Sequence, residues 1–214
     1  METAYANDES VASTLRPNWL DVFTRKFCDL ADQYTDTISI LAFGHEHVDT
    51  FRLCGDHSVY FSVPSLSTGY PRTNPTVRLW QHTDQGVVQD FTQYHMDLIN
   101  SNKLRKPIFE QSYVFSSAYG LKNLSRASME SLLGRFKLEH ANKSTEHVYA
   151  DERRFFLSST PVTVQPLCNE WCQVQDLCDK AFSGIVGTDQ GFSTCIGGQG
   201  SALSPSVHPL QQEE

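Results

Sequence analysis

Two histidines separated by one residue are the feature of this sequence best suited to chemistry. The segment Gly44-His45-Glu46-His47 follows an apolar run, 38–43, whose residue types predict a buried strand. Side chains two positions apart in an extended segment point the same way, so we expect His45 and His47 to face one point and Glu46 to face away. Neutral imidazole is a preferred zinc ligand. The pair therefore indicates a metal site, although two ordinary loop histidines give the same short pattern.

Alternating helix and strand patterns surround this pair and predict an α/β fold. A helix precedes the strand, with apolar residues at three- and four-residue intervals that predict one buried face: Trp19, Phe23, Phe27, Leu30, Ala31 and Tyr34. Short strand-like segments separated by turn residues follow the histidines: 51–53, 59–63, 77–80 and 87–91.

Beyond the polar stretch 100–103 the pattern becomes helical, and we expect a boundary there. Phe109, Tyr113 and Tyr119 suggest one helix, and Met129, Leu132, Leu133 and Phe136 fit one face of a second. Further helices are expected at 145–157 and 170–182. Residues 1–15 and 197–214 are polar or rich in Gly, Ser and Pro, which is typical of disordered ends.

Composition excludes some functional classes. The 214-residue chain has a net charge of −8, so nucleic-acid binding is not expected. It has neither a membrane-length apolar run nor a secretory leader, which alone would indicate a cytosolic protein. Four clustered cysteines and two glycosylation acceptors, Asn123 and Asn142, instead favour an oxidising compartment. The conflict suggests that an N-terminal segment precedes this sequence.

Longer stretches of the sequence resemble a known family. The segment 43–52, Phe-Gly-His-Glu-His-Val-Asp-Thr-Phe-Arg, is similar to the last metal-binding motif of the calcineurin-like metallophosphoesterases, in its acid sphingomyelinase form. Further segments follow in the family's order: 63–65, 74–79, 90–94, 118–121 and the C-x3-C-x5-C pattern at 168–178. The resemblance covers about residues 16–195.

The resemblance implies a fold and an activity. The fold would be the C-terminal half of a metallophosphoesterase sandwich over 16–100, followed by a disulfide-stapled helical region over 101–196. His45 and His47 would be ligands of a two-zinc centre, one on each ion, in a secreted or lysosomal phosphodiesterase. The substrate would be sphingomyelin or a nucleotide-type phosphodiester, attacked by a zinc-bound hydroxide.

The sequence also departs from that family. The family's other metal ligands and its leaving-group histidines lie upstream of the first helix, where this chain has only 16 residues and none of those patterns. Catalytic zinc normally takes three protein ligands. We therefore expect the isolated chain to lack appreciable activity. A non-catalytic binding or regulatory module derived from the family is the alternative.

The resemblance also bears on the cysteines. It favours disulfides Cys168–Cys172 and Cys178–Cys195, because the family pairs neighbouring cysteines in this region. A structural zinc site is the rival interpretation, although Cys178 and Cys195 are widely spaced for one half of it. Cys28 and Cys54, in the first helix and a strand, are expected to be buried free thiols.

Overall fold

The structure, a computed structural model, describes residues 20–45, 47–68, 73–141, 147–148, 151–152, 155, 170–182 and 195. Both expected disordered ends, Glu46, Asn142 and Cys168 lie outside these residues. The described elements, in chain order, are α1 (Asp21–Gln33), β1 (Leu41–Phe43), β2 (Thr50–Cys54), β3 (Ser58–Ser62), β4 (Thr76–His82), β5 (Val88–Met96), α2 (Leu98–Leu104), β6 (Phe109–Val114), α3 (Phe115–Tyr119), α4 (Arg126–His140) and α5 (Glu170–Phe182).

Two three-stranded sheets form the α/β framework that the sequence predicts. In sheet A the order is β1-β3-β2, with β1 parallel and β2 antiparallel to β3. In sheet B the order is β4-β5-β6, and both pairs are antiparallel. The pairing of β5 with β6 means that sheet B includes residues on both sides of position 100.

The main core lies where the two sheets meet α3, α4 and α5. Aromatic rings connect the sheets, because Phe61 of β3 contacts both Trp80 and Phe91 of sheet B edge to face, with ring centroids 5.9 and 6.0 Å apart. Such pairs add to the stability that apolar burial provides. The expected apolar face of α4 is confirmed, since its four members are all buried: Met129, Leu132, Leu133 and Phe136.

Helix α1 packs on sheet A with a face that only partly matches the one its apolar pattern predicts. Thr24, Cys28 and Ala31 are buried, and their small side chains allow the helix to approach the sheet closely. Phe23, by contrast, is 55% exposed, and Leu30 is 52% exposed. The expected apolar face is therefore wrong at Phe23, Leu30 and Tyr34, although Ala31, another of its members, is buried.

A disulfide explains why α1 has this orientation. Cys28 is bonded to Cys54 at the end of β2, so the expectation that both are free thiols is wrong. The two cysteines lie in different elements, 26 positions apart in the chain, and only the fold places the α1 face over the hairpin β2–β3. Buried Tyr60 lies beside the bond, and half-buried Phe27 packs against the same cluster.

The turn between β2 and β3 adds a second attachment. The carboxylate of Asp32 in α1 accepts hydrogen bonds from the backbone N–H groups of Asp56 and His57. Gly55 has a left-handed conformation with φ 59°, and a Cβ atom there would collide with the Asp32 carboxylate. Asp32 thus holds the turn of the β2–β3 hairpin against α1, the helix that also carries Cys28.

Two other sequence expectations differ from the structure. The strand predicted to be buried is exposed at Phe43, because β1 is an edge strand with β3 as its only partner in the described part of the chain. Residues 109–114 form strand β6 rather than a helix, and only α3 beyond it is helical. The segment 109–114 has three aromatic or β-branched residues in six, a composition that favours a strand.

The C-terminal region also contains a disulfide. Cys178 in α5 is bonded to Cys195, the pairing that the sequence analysis favours. The proposed Cys168–Cys172 bond falls outside the described residues, since only the backbone of Cys172 is described. Among the described helices, none combines the length and hydropathy required to cross a bilayer.

Candidate functional site

The two histidines lie in the connection between β1 and β2. His45 is exposed and His47 is half-buried, and the buried residues Val48 and Asp49 lead into β2. The connection begins at the carboxyl end of β1, the strand end at which α/β proteins commonly place functional groups. The sequence prediction located this loop correctly.

The local conformation of the loop is not the extended one that was expected. His45 has φ 80° and His47 has φ 59°, both left-handed, so strand alternation does not describe how their side chains are directed. The sheet order explains this difference. The chain must reverse direction and also pass β3, a step of about two strand spacings or ~10 Å, within the six residues 44–49.

Left-handed backbone is costly at residues other than glycine, so neighbouring contacts must hold the loop. Each such residue costs on the order of 1–2 kcal/mol. Asp49, two residues after His47, supplies two such contacts. Its carboxylate accepts a hydrogen bond from the Arg78 guanidinium at 2.5 Å and another from the Tyr113 hydroxyl, at its other oxygen. The end of the loop is thereby attached to sheet B.

Arg78 is itself fixed on three sides. Its Nε atom donates to the Gln93 side-chain oxygen at 2.8 Å, and the guanidinium lies 3.8 Å from the centroid of the Phe91 ring. The side chain is almost fully buried. A buried cation of this kind is stable only when it is paired and hydrogen-bonded, as Arg78 is with Asp49.

Tyr113 keeps its proton in this environment. Burial, followed by the nearby Asp49 charge, raises the pKa of the Tyr113 hydroxyl well above its usual value. The hydroxyl therefore remains a donor to Asp49 at any physiological pH. The ring also stacks on Phe155, with centroids 4.1 Å apart.

Sequence reasoning missed this anchoring cluster of Asp49, Arg78, Gln93 and Tyr113. Arg78 was the visible indication, because it lies inside the apolar strand pattern Val77-Arg78-Leu79-Trp80. An arginine on the inward face of a strand requires a buried carboxylate. The partner was not identifiable, since Asp49 is 29 positions away in the chain.

The described residues do not by themselves fit a complete zinc centre. Imidazole nitrogen is a suitable donor, and the loop contributes two such groups. However, no cluster of three or more His, Cys, Asp or Glu side chains able to hold a metal occurs among the described residues. Because catalytic zinc takes about three protein ligands, His45 and His47 would need ligands from outside this region.

A cleft of about 290 Å³ opens away from the histidines, near the start of β1 and β3. Its lining includes Ser39, Leu41, His57 and the predicted glycosylation acceptor Asn123. The Asn123 side-chain oxygen accepts hydrogen bonds from the Ser125 N–H and the Ser128 hydroxyl. Neither bond uses the amide nitrogen, the atom to which a glycan would be attached. The second predicted acceptor, Asn142, is outside the described residues.

Comparison with known proteins gives the same family as the resemblance seen in the sequence. A family described as "Acid sphingomyelin phosphodiesterase C-terminal region" matches residues 61–197, a range that begins after the two histidines. Sphingomyelin phosphodiesterase 1 of Caenorhabditis elegans is 28% identical over 158 residues, which is 69% of this chain and 26% of that protein.

Two human relatives extend the comparison. Acid sphingomyelinase-like phosphodiesterase 3b is 24% identical over 199 residues, 86% of this chain and 41% of its own length. A cyclic GMP-AMP phosphodiesterase is 23% identical over 170 residues, 74% of this chain and 36% of its own. The chain thus spans only about a quarter to two fifths of the length of these relatives.

Proposed function

Because this chain belongs to the acid sphingomyelin phosphodiesterase family and carries its C-terminal region, we propose that it is the C-terminal part of a secreted, zinc-dependent phosphodiester hydrolase. The observation that carries the proposal is the family match over 61–197, together with relatives that are phosphodiesterases by name. The two disulfides support an oxidising compartment.

In this proposal His45 and His47 supply two of the zinc ligands. Their position at the carboxyl end of β1, and the buried attachment of the loop through Asp49, support a functional role for the loop. Zinc would contribute Lewis-acid chemistry toward a phosphoryl oxygen. The remaining ligands would come from residues outside the described part of the chain.

The substrate class is a phosphodiester. Sphingomyelin and a cyclic dinucleotide are the two alternatives, since relatives named for each cover similar shares of this chain. A direct comparison of the two substrates distinguishes them.

The test begins with the messenger RNA upstream of Met1. We expect the reading frame to continue into a segment with the remaining metal ligands, and the longer product to hydrolyse a phosphodiester in a manner that a chelator abolishes and zinc restores. In that product, His45→Ala and His47→Ala should each reduce the number of zinc ions bound and lower kcat/KM by at least about a hundredfold. The exposed histidine of β4 provides the matched control, His82→Ala, which should change neither quantity.

The isolated 214-residue chain should not hydrolyse either substrate appreciably. Zinc-dependent turnover by the pure chain would refute the view that its metal site is incomplete. Full zinc content in the His45→Ala variant of the longer product would remove that histidine from the ligand set.

A second candidate is a non-catalytic binding module. The lack of a three-ligand cluster in the described ranges is the observation that favours it. An in-frame stop codon directly upstream of Met1, in a gene whose 214-residue product accumulates in cells, would support the module over the hydrolase.

A further inference from the structure

A segment at one end of sheet B presents large apolar side chains to solvent. It comprises α2 and the turn that leads to Phe109 of β6, residues 98–109, and we refer to it as the basic tip. Ile99 and Leu104 are each 63% exposed, and Phe109 is 47% exposed. Exposed apolar groups gathered in one short segment indicate a contact surface more often than single ones do.

The same segment is strongly cationic. Lys103, Arg105 and Lys106 are all exposed, and no Asp or Glu occurs between positions 98 and 109. This charge contrasts with the net charge of −8 for the whole chain. On α2, Ile99 and Lys103 are four residues apart and therefore share the outward side of the helix.

Hydrogen bonds hold the tip in this shape. Buried Ser101 accepts a bond from the Ile108 N–H at its hydroxyl oxygen, 2.9 Å away, and Asp97 caps the helix by accepting from the Asn100 N–H, also at 2.9 Å. The backbone N–H of Asp97 donates to the Ile108 carbonyl, so both ends of the tip are joined. The exposure of its apolar side chains is thus fixed by the fold.

Helix α1 also exposes apolar side chains, but its charge is different. The α1 segment 21–33 contains three aspartates and only two basic residues, so it would not attract a strongly charged partner of either sign. At the base of the tip, Asp97 is bound into the helix start and Glu110 lies opposite His95 in the next strand pair. Neither carboxylate interrupts the run of positive charge.

We propose that the basic tip docks the protein on a lipid bilayer that contains anionic phospholipid. Ile99 and Leu104 would enter the interface between headgroups and acyl chains, while Lys103, Arg105 and Lys106 would contact lipid phosphates. Apolar insertion and basic attraction are both weak alone, and together they give stable interfacial binding. Lys and Arg suit this position because their aliphatic stems lie in the apolar layer while their charges stay in water.

The tip lies at the end of sheet B where β4 begins, and Arg78 of the anchoring cluster is the third residue of that strand. Met96, two residues before the tip, donates its N–H to the carbonyl of Pro75, and Thr76 begins β4 two residues before Arg78. A bilayer bound at the tip would therefore be on the side of the sheet where β4 begins. The proposal does not depend on zinc or on hydrolysis.

Vesicle co-sedimentation of the 214-residue chain tests this proposal, with phosphatidylcholine vesicles that either contain or lack phosphatidylserine. We expect binding to the anionic vesicles, weakened by high salt. Lys103→Gln/Arg105→Gln/Lys106→Gln should lower the partition coefficient about a hundredfold. Ile99→Ser/Leu104→Ser should lower it by at least about tenfold and should do so at high salt as well.

The matched control neutralises three exposed basic residues elsewhere, Arg25→Gln/Lys26→Gln/Lys122→Gln, and has the same net charge as the first variant. It should bind like the original chain, and all variants should keep its thermal midpoint. Equal loss in this control would reduce the effect to overall charge and overturn the proposal. Absence of vesicle binding, or self-association of the chain that the tip variants abolish, would also overturn it.

Discussion

The two flanks of sheet A are held by different means. Toward sheet B, the end of the histidine loop is attached by a buried ion pair, Asp49 with Arg78, among aromatic rings. Toward α1, the hairpin is attached by one disulfide and by the Asp32 carboxylate at a partly exposed turn. The outward side of α1 leaves large apolar groups in solvent.

The flank toward sheet B is therefore stabilised mainly by burial, and the flank toward α1 mainly by a covalent cross-link. Burial next to sheet B makes the Asp49–Arg78 pair sensitive to the loss of either member, since a buried charge without its partner is costly. On the α1 side less apolar area is buried, so the disulfide contributes a larger part of the stability of that flank. Substitutions on each side test that division.

The largest effect is expected from Arg78→Met. It leaves the Asp49 carboxylate buried without its cation and should lower the free energy of unfolding by about 3–5 kcal/mol, measured by urea denaturation. Adding Asp49→Leu to Arg78→Met should recover part of that loss, because both charges are then gone. The exposed Lys122→Met is the control, and a cost for Arg78→Met as small as that of the control would contradict the account of this flank.

The next largest effect is expected from Cys28→Ala/Cys54→Ala. A disulfide that closes a sequence separation of 26 stabilises the chain chiefly by restricting its unfolded state, here by about 2–4 kcal/mol. The unfolding free energy of this variant, compared with that of Cys178→Ala/Cys195→Ala, shows which cross-link matters more. An unchanged unfolding midpoint for the first variant would mean that packing alone holds α1 on the hairpin.

The smallest effect is expected from Asp32→Asn. Burial raises the pKa of Asp32, but hydrogen bonds from the Ser58 hydroxyl and the Asp56 and His57 N–H groups outweigh it, so the pKa is below the ordinary 3.8. The carboxylate therefore stabilises the fold above pH 3.8, and this contribution disappears as the pH falls through the lowered pKa.

Replacement by asparagine should cost about 1 kcal/mol at neutral pH, because the acceptor loses its charge. The original chain and the variant should converge in unfolding free energy in acid, measured by urea denaturation at a series of pH values. A constant difference down to the lowest pH would show that the charge of Asp32 is not involved.

Much of the fold was predictable from local patterns. The bounds of α5, the apolar face of α4 and the position of the histidine loop after β1 all follow from periodicity and turn residues. In each case one element carries the whole pattern in consecutive residues. The Cys178–Cys195 bond was accessible through family resemblance and not through spacing alone.

The errors concern contacts between distant parts of the chain. Strand β6 is the exception, since the composition of 109–114 already favours a strand, whereas the buried face of α1 depends on the disulfide to Cys54. The left-handed histidines follow from a sheet order in which the loop must pass β3. Neither periodicity nor residue spacing contains that order, and so the geometry of the candidate site was not predictable.

The Cys28–Cys54 bond has one more consequence, because both histidines lie within the stretch of chain that it closes into a ring. A protease that cuts the exposed loop at His45 would open the ring without dividing the protein. The nicked molecule would migrate as one species on a non-reducing gel and separate into two only after reduction.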